Sequence, residues 1–515
     1  MSRALGIASA IYAASVLGSR LIGLVREAVI GRVLGNGPDA DVYFTAFVIP
    51  DFLNYLLAGG ALSLVLIPIF AGHLARGDKA AAWSAFSSIL SAVTWLIVTA
   101  TAIAFVLAPS LVPLIAPGLD LAQQDKLVIL VRILLPAQIF HVIGGVLTAT
   151  LQARDRHAMP ALAPLVYNLG IVVSGLLLGP TLGADGFAWG VLIGSFLGPF
   201  ALPLYGCLRE GDLQLRLFPE LHLVDLRAYF LRSLPIMLGF SIVVFDDFLV
   251  RYFGSFLEAG AIARLTYAKT LMRVPMGVFG LAIGMATFPT LARLFGEGRA
   301  QEGHATLMAA TRATLVLAFL AQAGLTVSGT EVATVIWGRE RFTDGELSQI
   351  GDATVWVCLG LWAWSIQGLL SRGFYARGEA WVPSIIGSVV TVLATPLFFV
   401  LSNTYGVIGL AAASSIAISL NVFALAVLLR RRAGAHAVGQ AFLGTLVRMG
   451  GATAASCLLV SQGSATVALD APALVRGAVW GGAAVVLSAL FGLVLGVEEL
   501  KTLSASLSRR LKRRR

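Results

Sequence analysis

The chain runs to 515 residues, of which 58% are hydrophobic and 12% charged, with a mean hydropathy of +0.87. Soluble domains carry about 25% charged residues, so this composition excludes an ordinary water-soluble protein. The net charge of +10 sits in short loops and in the tail Arg509–Arg515, which is how a membrane protein orients itself and gives no reason to invoke nucleic acid.

The apolar residues come in runs of roughly 18–25, enough to cross a ~30 Å hydrocarbon core as helix. The ~10-residue alternation of a membrane barrel is not seen. The first run begins after Arg3 and continues straight on through Arg20 and Arg26 without a convincing cleavage site, so it reads as a membrane helix and not as a signal peptide. Fourteen spans are predicted, at 4–34, 42–72, 83–113, 127–152, 159–180, 185–208, 228–253, 262–294, 305–328, 350–376, 381–402, 405–430, 440–461 and 473–496. Cys207, Cys358 and Cys457 lie in or beside these runs without the paired spacing of a disulfide framework or a zinc site. The fold class is an all-α polytopic membrane protein.

Basic residues concentrate in one set of loops: Arg76 and Lys79, Arg154 and Arg156, Arg209 and Arg216, Arg293 and Arg299, Arg377, and Arg430–Arg432. The opposite loops are poorer in them and hold Asp39, Asp41, Asp120, Asp185 and Asp470. Both termini are therefore expected on the cytoplasmic side.

An internal repeat organises the spans. Leu151–Pro160 (LQARDRHAMP) aligns with Phe374–Pro383 (FYARGEAWVP) at an offset of 223. The same offset pairs Gly31 with Gly254, Gly183 with Gly406, Gly186 with Gly409, and Arg209 with Arg432. The implied unit is six spans entering the membrane the same way, as in transporters with parallel repeats. The expected domains are a lobe at 1–210, an amphipathic cytoplasmic connector at 211–226, a second lobe at 227–433, two extra helices at 434–498 and a basic cytoplasmic tail at 499–515. The tail suits anionic lipid headgroups, at about 1 kcal/mol per basic residue near the surface.

Ionisable groups at membrane depth are costly, and each is a functional candidate. The first span holds Arg20, Arg26, Glu27 and Arg32. At 100° per residue Arg20 and Glu27 share a stripe, with Arg26 turned away from it unless the helix bends near Gly23. The seventh span holds Asp246, Asp247 and Arg251. The eighth holds Lys269 and Arg273 on one face, with Pro275 and Gly277 placed to break the helix. Asp247 with Arg251 and Glu27 with an arginine read as neutralising pairs. Even so, Arg20, Arg26, Lys269 and Arg273 outnumber Glu27. A cationic cavity calls for an anion, and the planar guanidinium fork suits phosphate or diphosphate.

Ser19–Glu27 (SRLIGLVRE), Gly31, Gly35, Asp41–Phe47 (DVYFTAF) and Pro50 resemble the opening signature of the MurJ (MviN) family. Tyr267–Gly280 (YAKTLMRVPMGVFG) with Pro289 resembles its eighth-span motif, and Ala116–Gly118, Phe342–Thr343 and Gly373–Arg377 resemble further landmarks. The resemblance implies a lipid II flippase of the multidrug/oligosaccharidyl-lipid/polysaccharide exporter superfamily. It implies alternating access of two six-helix lobes around a cationic cavity, with the last two helices forming a groove for the polyprenyl tail. Carried over by position, Arg20, Arg26 and Asp41 fall on substrate-cavity positions, and Glu27 stands beside them. Two departures stand out. The family's second-span arginine falls on Asn54, with a nearby acidic position on Gly59. Its eighth-span acidic–arginine pair falls on Lys269 and Thr270, with Arg273 adding a cation.

Asp246 and Asp247 are candidates for ion coupling, with Ser388, Thr391 and Thr395 as hydroxyl donors of oxygen to a sodium ion and His141 as a proton relay or a hydrogen-bonded core residue. No cofactor is expected beyond coupling to Na+, H+ or the membrane potential. The expected partners are lipid II or a similar undecaprenyl-diphosphate saccharide and membrane lipids, with the chain acting as a monomer in the bacterial inner membrane. Two other functions were weighed. A cation-coupled exporter of a drug or another polysaccharide precursor needs an acidic lobe, for which only Asp246 and Asp247 offer material. An enzyme of lipid-linked sugars needs clustered carboxylates for Mg²⁺, and no His/Asp/Glu cluster accompanies that pair.

Overall fold

The computed structural model describes residues 3–57, 61–210, 223–238, 241–338, 340–432, 436–467 and 469–502, with backbone alone at 3–17, 61–64, 223, 235–238, 241–243, 281–282 and 436–440. Most of the connector, Gly59 and the basic run Arg509–Arg515 lie outside the described residues. Among the described residues, nine helical stretches are long and apolar enough to cross a membrane. A tenth arises if the pair Asp344–Cys358 and Leu361–Ala376, bent by 43°, counts as one span. The second expected span is shorter than this: the helices Pro38–Thr45, Val48–Leu57 and Ala61–Ala75 succeed one another in its place.

Local chemistry explains where the helices start and bend. Asp120 opens Leu121–Leu134 with a capping box, its carboxylate accepting from the Gln123 amide at 2.8 Å and its own amide donating to Gln123 Oε1 at 3.0 Å. Thr343 and Glu346 make the same box ahead of Asp344–Cys358. Such boxes satisfy amides that a helix leaves orphaned at its first turn. Pro275 and Gly277 act as the sequence indicates: Ala261–Met276 ends in a wide π-helical turn at Gly277–Leu281 before Ala282–Gly296 resumes.

The chain packs as two compact units, Met1–Ala263 and Arg264–Arg515. The repeat places a boundary after residue 210, whereas the packing boundary falls after Ala263, because the seventh span is tied to the first unit. His73 Nε2 and Asp225 Oδ2 lie 3.2 Å apart. Arg251 Nε donates to the Phe44 carbonyl at 3.1 Å, and the Gly118 amide donates to Ser255 Oγ at 3.1 Å. Sequence similarity tracks ancestry, while packing tracks which apolar faces meet.

Inside each unit the repeat reappears in the backbone. Gly183 has φ 55° and ψ −127°, and Gly406, its partner at the offset of 223, has φ 58° and ψ −132°. Side chains rarely adopt that region, so glycine is the residue for it. Asp155 (φ 59°) and Gly378 (φ 76°) stand at the same offset. A Cβ on Gly186 would sit 2.8 Å from the Leu178 carbonyl carbon, and a Cβ on Gly409 would overlap the Leu401 carbonyl group. Arg156 pairs with Glu210 at 3.1 Å, and its counterpart at the offset, Glu379, pairs with Arg432.

The core of the first unit gathers Phe70, Trp83 and Phe86, edge to face at 5.2–6.5 Å between centroids, with the Arg154 guanidinium over Trp83 at 5.4 Å. The second unit packs Tyr267 at a tilt against Trp337 at 4.8 Å and edge to face against Phe342 at 5.7 Å between centroids. Its last two helices, His436–Thr466 and Ala473–Val494, pack on Ala300–Trp337 through Ala323, Val460 and Ala484. Thr453 joins them, sharing a 3.0 Å hydrogen bond with Ser488. Beside them an apolar cleft of about 200 Å³ opens between Leu370, Phe423, Val427 and Phe442, with Arg430 also in its lining.

The close approach at Gly409 has a measurable consequence. Gly409→Leu is expected to lose most monodisperse protein in fluorescence-detected size-exclusion chromatography, since overpacking costs about 1–3 kcal/mol or more. Gly444→Leu, where a Cβ meets open space, is expected to match the parent. Equal behaviour of the two variants would contradict the packing described.

Candidate substrate site

The first helix, Arg3–Leu34, carries the first two candidate cations. Arg20 is half-buried and makes no ion pair or hydrogen bond with the described residues. Arg26 is engaged. Its Nε donates to Glu27 Oε1 at 3.2 Å, its Nη2 pairs with the same carboxylate, and its Nη1 donates to Asn168 Oδ1 at 3.0 Å. The Asn168 amide in turn donates to the Pro164 carbonyl at 2.9 Å, which fixes its oxygen toward the arginine. The helical-wheel reading set Arg26 apart from Glu27, since neighbouring residues diverge by about 100°. Two long side chains bridge that angle, so Arg26 and Glu27 neutralise one another. Arg20 and Arg32 stand on the same helix beyond this pair, and Arg26 keeps 27% of its side chain exposed.

Asp41 has a structural role visible in the geometry. It is 3% exposed, and its carboxylate accepts the Gly260 amide at 2.6 Å and the Ala263 amide at 2.7 Å. These amides open the helix Ala261–Met276, so the carboxylate meets orphan donors and the positive end of the helix dipole. Asn54, the position of the family's second-span arginine, donates to Gln138 Oε1 at 2.8 Å and is half-buried. It holds two helices of the first unit together through a neutral amide pair.

Lys269 and Arg273 belong to the second unit, on Ala261–Met276. Lys269 is 3% exposed, while Arg273 is exposed. Asp247 and Arg251 pair at 3.4 Å, and Asp246 is 5% exposed on the adjacent face. Thr391 and Thr395 donate their hydroxyls to the carbonyls of Gly387 and Thr391 within their own helix, and Ser388 is exposed. His141 shares a 2.9 Å hydrogen bond with Ser195 Oγ and sits edge-on to Tyr167. Among the described residues no group of three His, Cys, Asp or Glu side chains is gathered as metal ligands are. The sequence reading did not single out Asn168 and Gln138. Their signal was present, since amides within apolar spans are uncommon and seek partners.

Asp41→Ala is expected to destabilise the protein by about 2–3 kcal/mol, the range of a hydrogen bond to a charged group, seen as an earlier thermal loss of the monodisperse peak. A variant of unchanged thermal stability but no transport activity would instead make Asp41 a substrate contact.

The family model for the lipid II flippase MurJ matches residues 30–471. A probable lipid II flippase MurJ of Vibrio cholerae is 27% identical over 429 residues, covering 80% of each chain. The lipid II flippase MurJ of Burkholderia cenocepacia is 25% identical over 446 residues, covering 84% of this chain and 85% of its own. Among solved structures, a lipid II flippase MurJ in an inward closed conformation superposes with TM-score 0.75 at 19% identity, covering 96% of this chain and 99% of its own. An inward-facing multidrug resistance transporter of the MATE family superposes with TM-score 0.65 at 15% identity, over 81% and 94%. With the family model spanning most of its length, the chain is a multi-pass membrane protein that belongs to the lipid II flippase MurJ family.

Proposed function

We propose that this chain translocates a polyprenyl-diphosphate saccharide, lipid II or a close relative, from the cytoplasmic to the periplasmic leaflet of the bacterial inner membrane by alternating access. Both termini are then cytoplasmic, and the protein carries cargo without chemical conversion. Arg20 is the observation that carries the reading. It is a guanidinium on a membrane helix without a carboxylate partner among the described residues, and such a group needs water or an anion to offset its desolvation. A diphosphate offers paired oxygens to the planar fork. Arg26 keeps part of its guanidinium exposed and adds a second donor set on the same helix. Lys269 and Arg273 are proposed as further diphosphate-binding cations, at positions shifted from the family pattern. The apolar cleft lined by Leu370, Phe423, Val427 and Phe442 suits a prenyl chain.

A second reading, a cation-coupled exporter, is favoured by the burial of Asp246 beside the Asp247–Arg251 pair. Coupling to Na+, H+ or the membrane potential is compatible with the flippase reading through the same residues.

Replacing the sole lipid II flippase of a conditional bacterial strain with this chain is expected to restore growth. Arg20→Ala is expected to abolish that rescue with the protein still in the membrane, and Arg20→Lys to restore it in part, since an ammonium keeps the charge and loses the fork. Silent Lys269→Ala and Arg273→Ala variants would remove the eighth span from the site. Full rescue by the Arg20→Ala, Arg26→Ala double variant would overturn the diphosphate reading.

A further inference from the structure

A polar cleft of about 190 Å³ opens at one end of the last two helices of the second unit. It lies between the early turns of His436–Thr466, the residues that follow Ala473–Val494, and Arg312 on Ala300–Trp337. Sites for drug-sized molecules begin near ~300 Å³, so this one suits a small polar head. The lining carries two guanidinium groups, Arg312 and Arg448, and two carboxylates, Glu498 and Glu499. Its formal charge is therefore zero.

The four charges are not all used up on one another. Arg312 and Glu499 are partners, with Nε 2.9 Å from Oε1 although out of line for a hydrogen bond. Arg448 is exposed and donates one N–H to the Gly496 carbonyl, 3.2 Å away. Gly496, at φ 78°, stands just past the end of Ala473–Val494, so the guanidinium also meets the negative end of that helix dipole. The rest of its five-donor fork and the exposed Glu498 carboxylate have no partner among the described residues.

A lone anion entering the cleft meets two carboxylates, and a lone cation meets two guanidinium groups. A zwitterion is matched at both ends: a phosphate accepts from Arg448, and a primary ammonium donates to Glu498. A quaternary ammonium has no N–H to donate, and a glycerol head has no positive charge to offer. The surroundings indicate a lipid as the source. Leu443 and Val447 on one helix and Val494 and Leu495 at the end of the other adjoin the lining residues and are exposed, which gives acyl chains an apolar surface beside the head.

We propose that this cleft is a headgroup site for a phospholipid of the phosphoethanolamine class, with its phosphate on Arg448 and its ammonium on Glu498. The site lies wholly within the second unit. It goes beyond the transport reading, since it uses neither the first-helix arginines nor the diphosphate of the cargo.

Lysophospholipids with one acyl chain and phosphoethanolamine, phosphocholine or phosphoglycerol heads test this directly, because they differ only at the head. Their binding to the delipidated full chain in detergent is read by native mass spectrometry. The phosphoethanolamine lipid is expected to bind about tenfold more tightly than the others, the low end for a hydrogen bond to a charged group. Glu498→Gln, an isosteric change at an exposed position, is expected to erase that preference, and Glu498→Asp to keep part of it. Arg448→Gln is expected to weaken all three lipids together, because each carries the phosphate. Glycerophosphoethanolamine, the same head without a chain, is expected not to displace the lipid at equal concentration. Equal binding of the three heads, a preference that persists in Glu498→Gln, unchanged affinities in Arg448→Gln, or displacement by the chainless head would overturn the proposal. The readout is lipid binding, so it stands apart from whether the chain rescues growth.

Discussion

An ionised side chain inside an apolar helical bundle persists only where a partner is built in beside it, because the desolvation cost of a lone charge exceeds what packing returns. The first unit meets this constraint by three different means. Arg26 is answered by a carboxylate one residue away and an amide from a distant helix. Asp41 is answered by two backbone amides at a helix start. Arg251 is answered by a carboxylate and two carbonyls. Each solution also joins segments far apart in sequence, so the charges that seem hazardous to the fold are what fix its connections. Arg20 is left outside this scheme among the described residues.

The constraint also governs where the units divide. Contacts from Asp225, Arg251 and Ser255 bind the seventh span to the helices before it. The two copies of the repeat therefore do not correspond to the two packing units, although the backbone keeps the imprint of duplication at Gly183 and Gly406. A duplication copies local conformation faithfully, whereas the partner of a helix face is free to change once surface residues diverge. Arg156 and its counterpart Glu379 show that divergence: the first pairs with Glu210 and the second with Arg432.

Much of the fold was legible in the chain because membrane helices obey a length rule that needs no tertiary information. The break after Pro275 and the Asp247–Arg251 pair rest on local spacing, the glycine pair rests on the internal repeat, and all three appear. The site was legible only as a list of residues. Whether Glu27 faces Arg20 or Arg26 depends on rotamers, which a helical wheel does not represent. The partnership of Asp41 with amides more than two hundred residues on is invisible to any local pattern, and so is the pairing of Asn54 with Gln138.

The central claim is that the charged head of the cargo, and not its hydrocarbon tail, is what the first-helix arginines recognise. The measurement that addresses it most directly is the relative affinity of the purified chain for undecaprenyl diphosphate and undecaprenol, which share a tail and differ at the head. A preference for the diphosphate of about a hundredfold, equivalent to about 2.7 kcal/mol and falling with rising ionic strength, is the result this account predicts. Equal affinity for the two lipids, insensitive to salt, would contradict it.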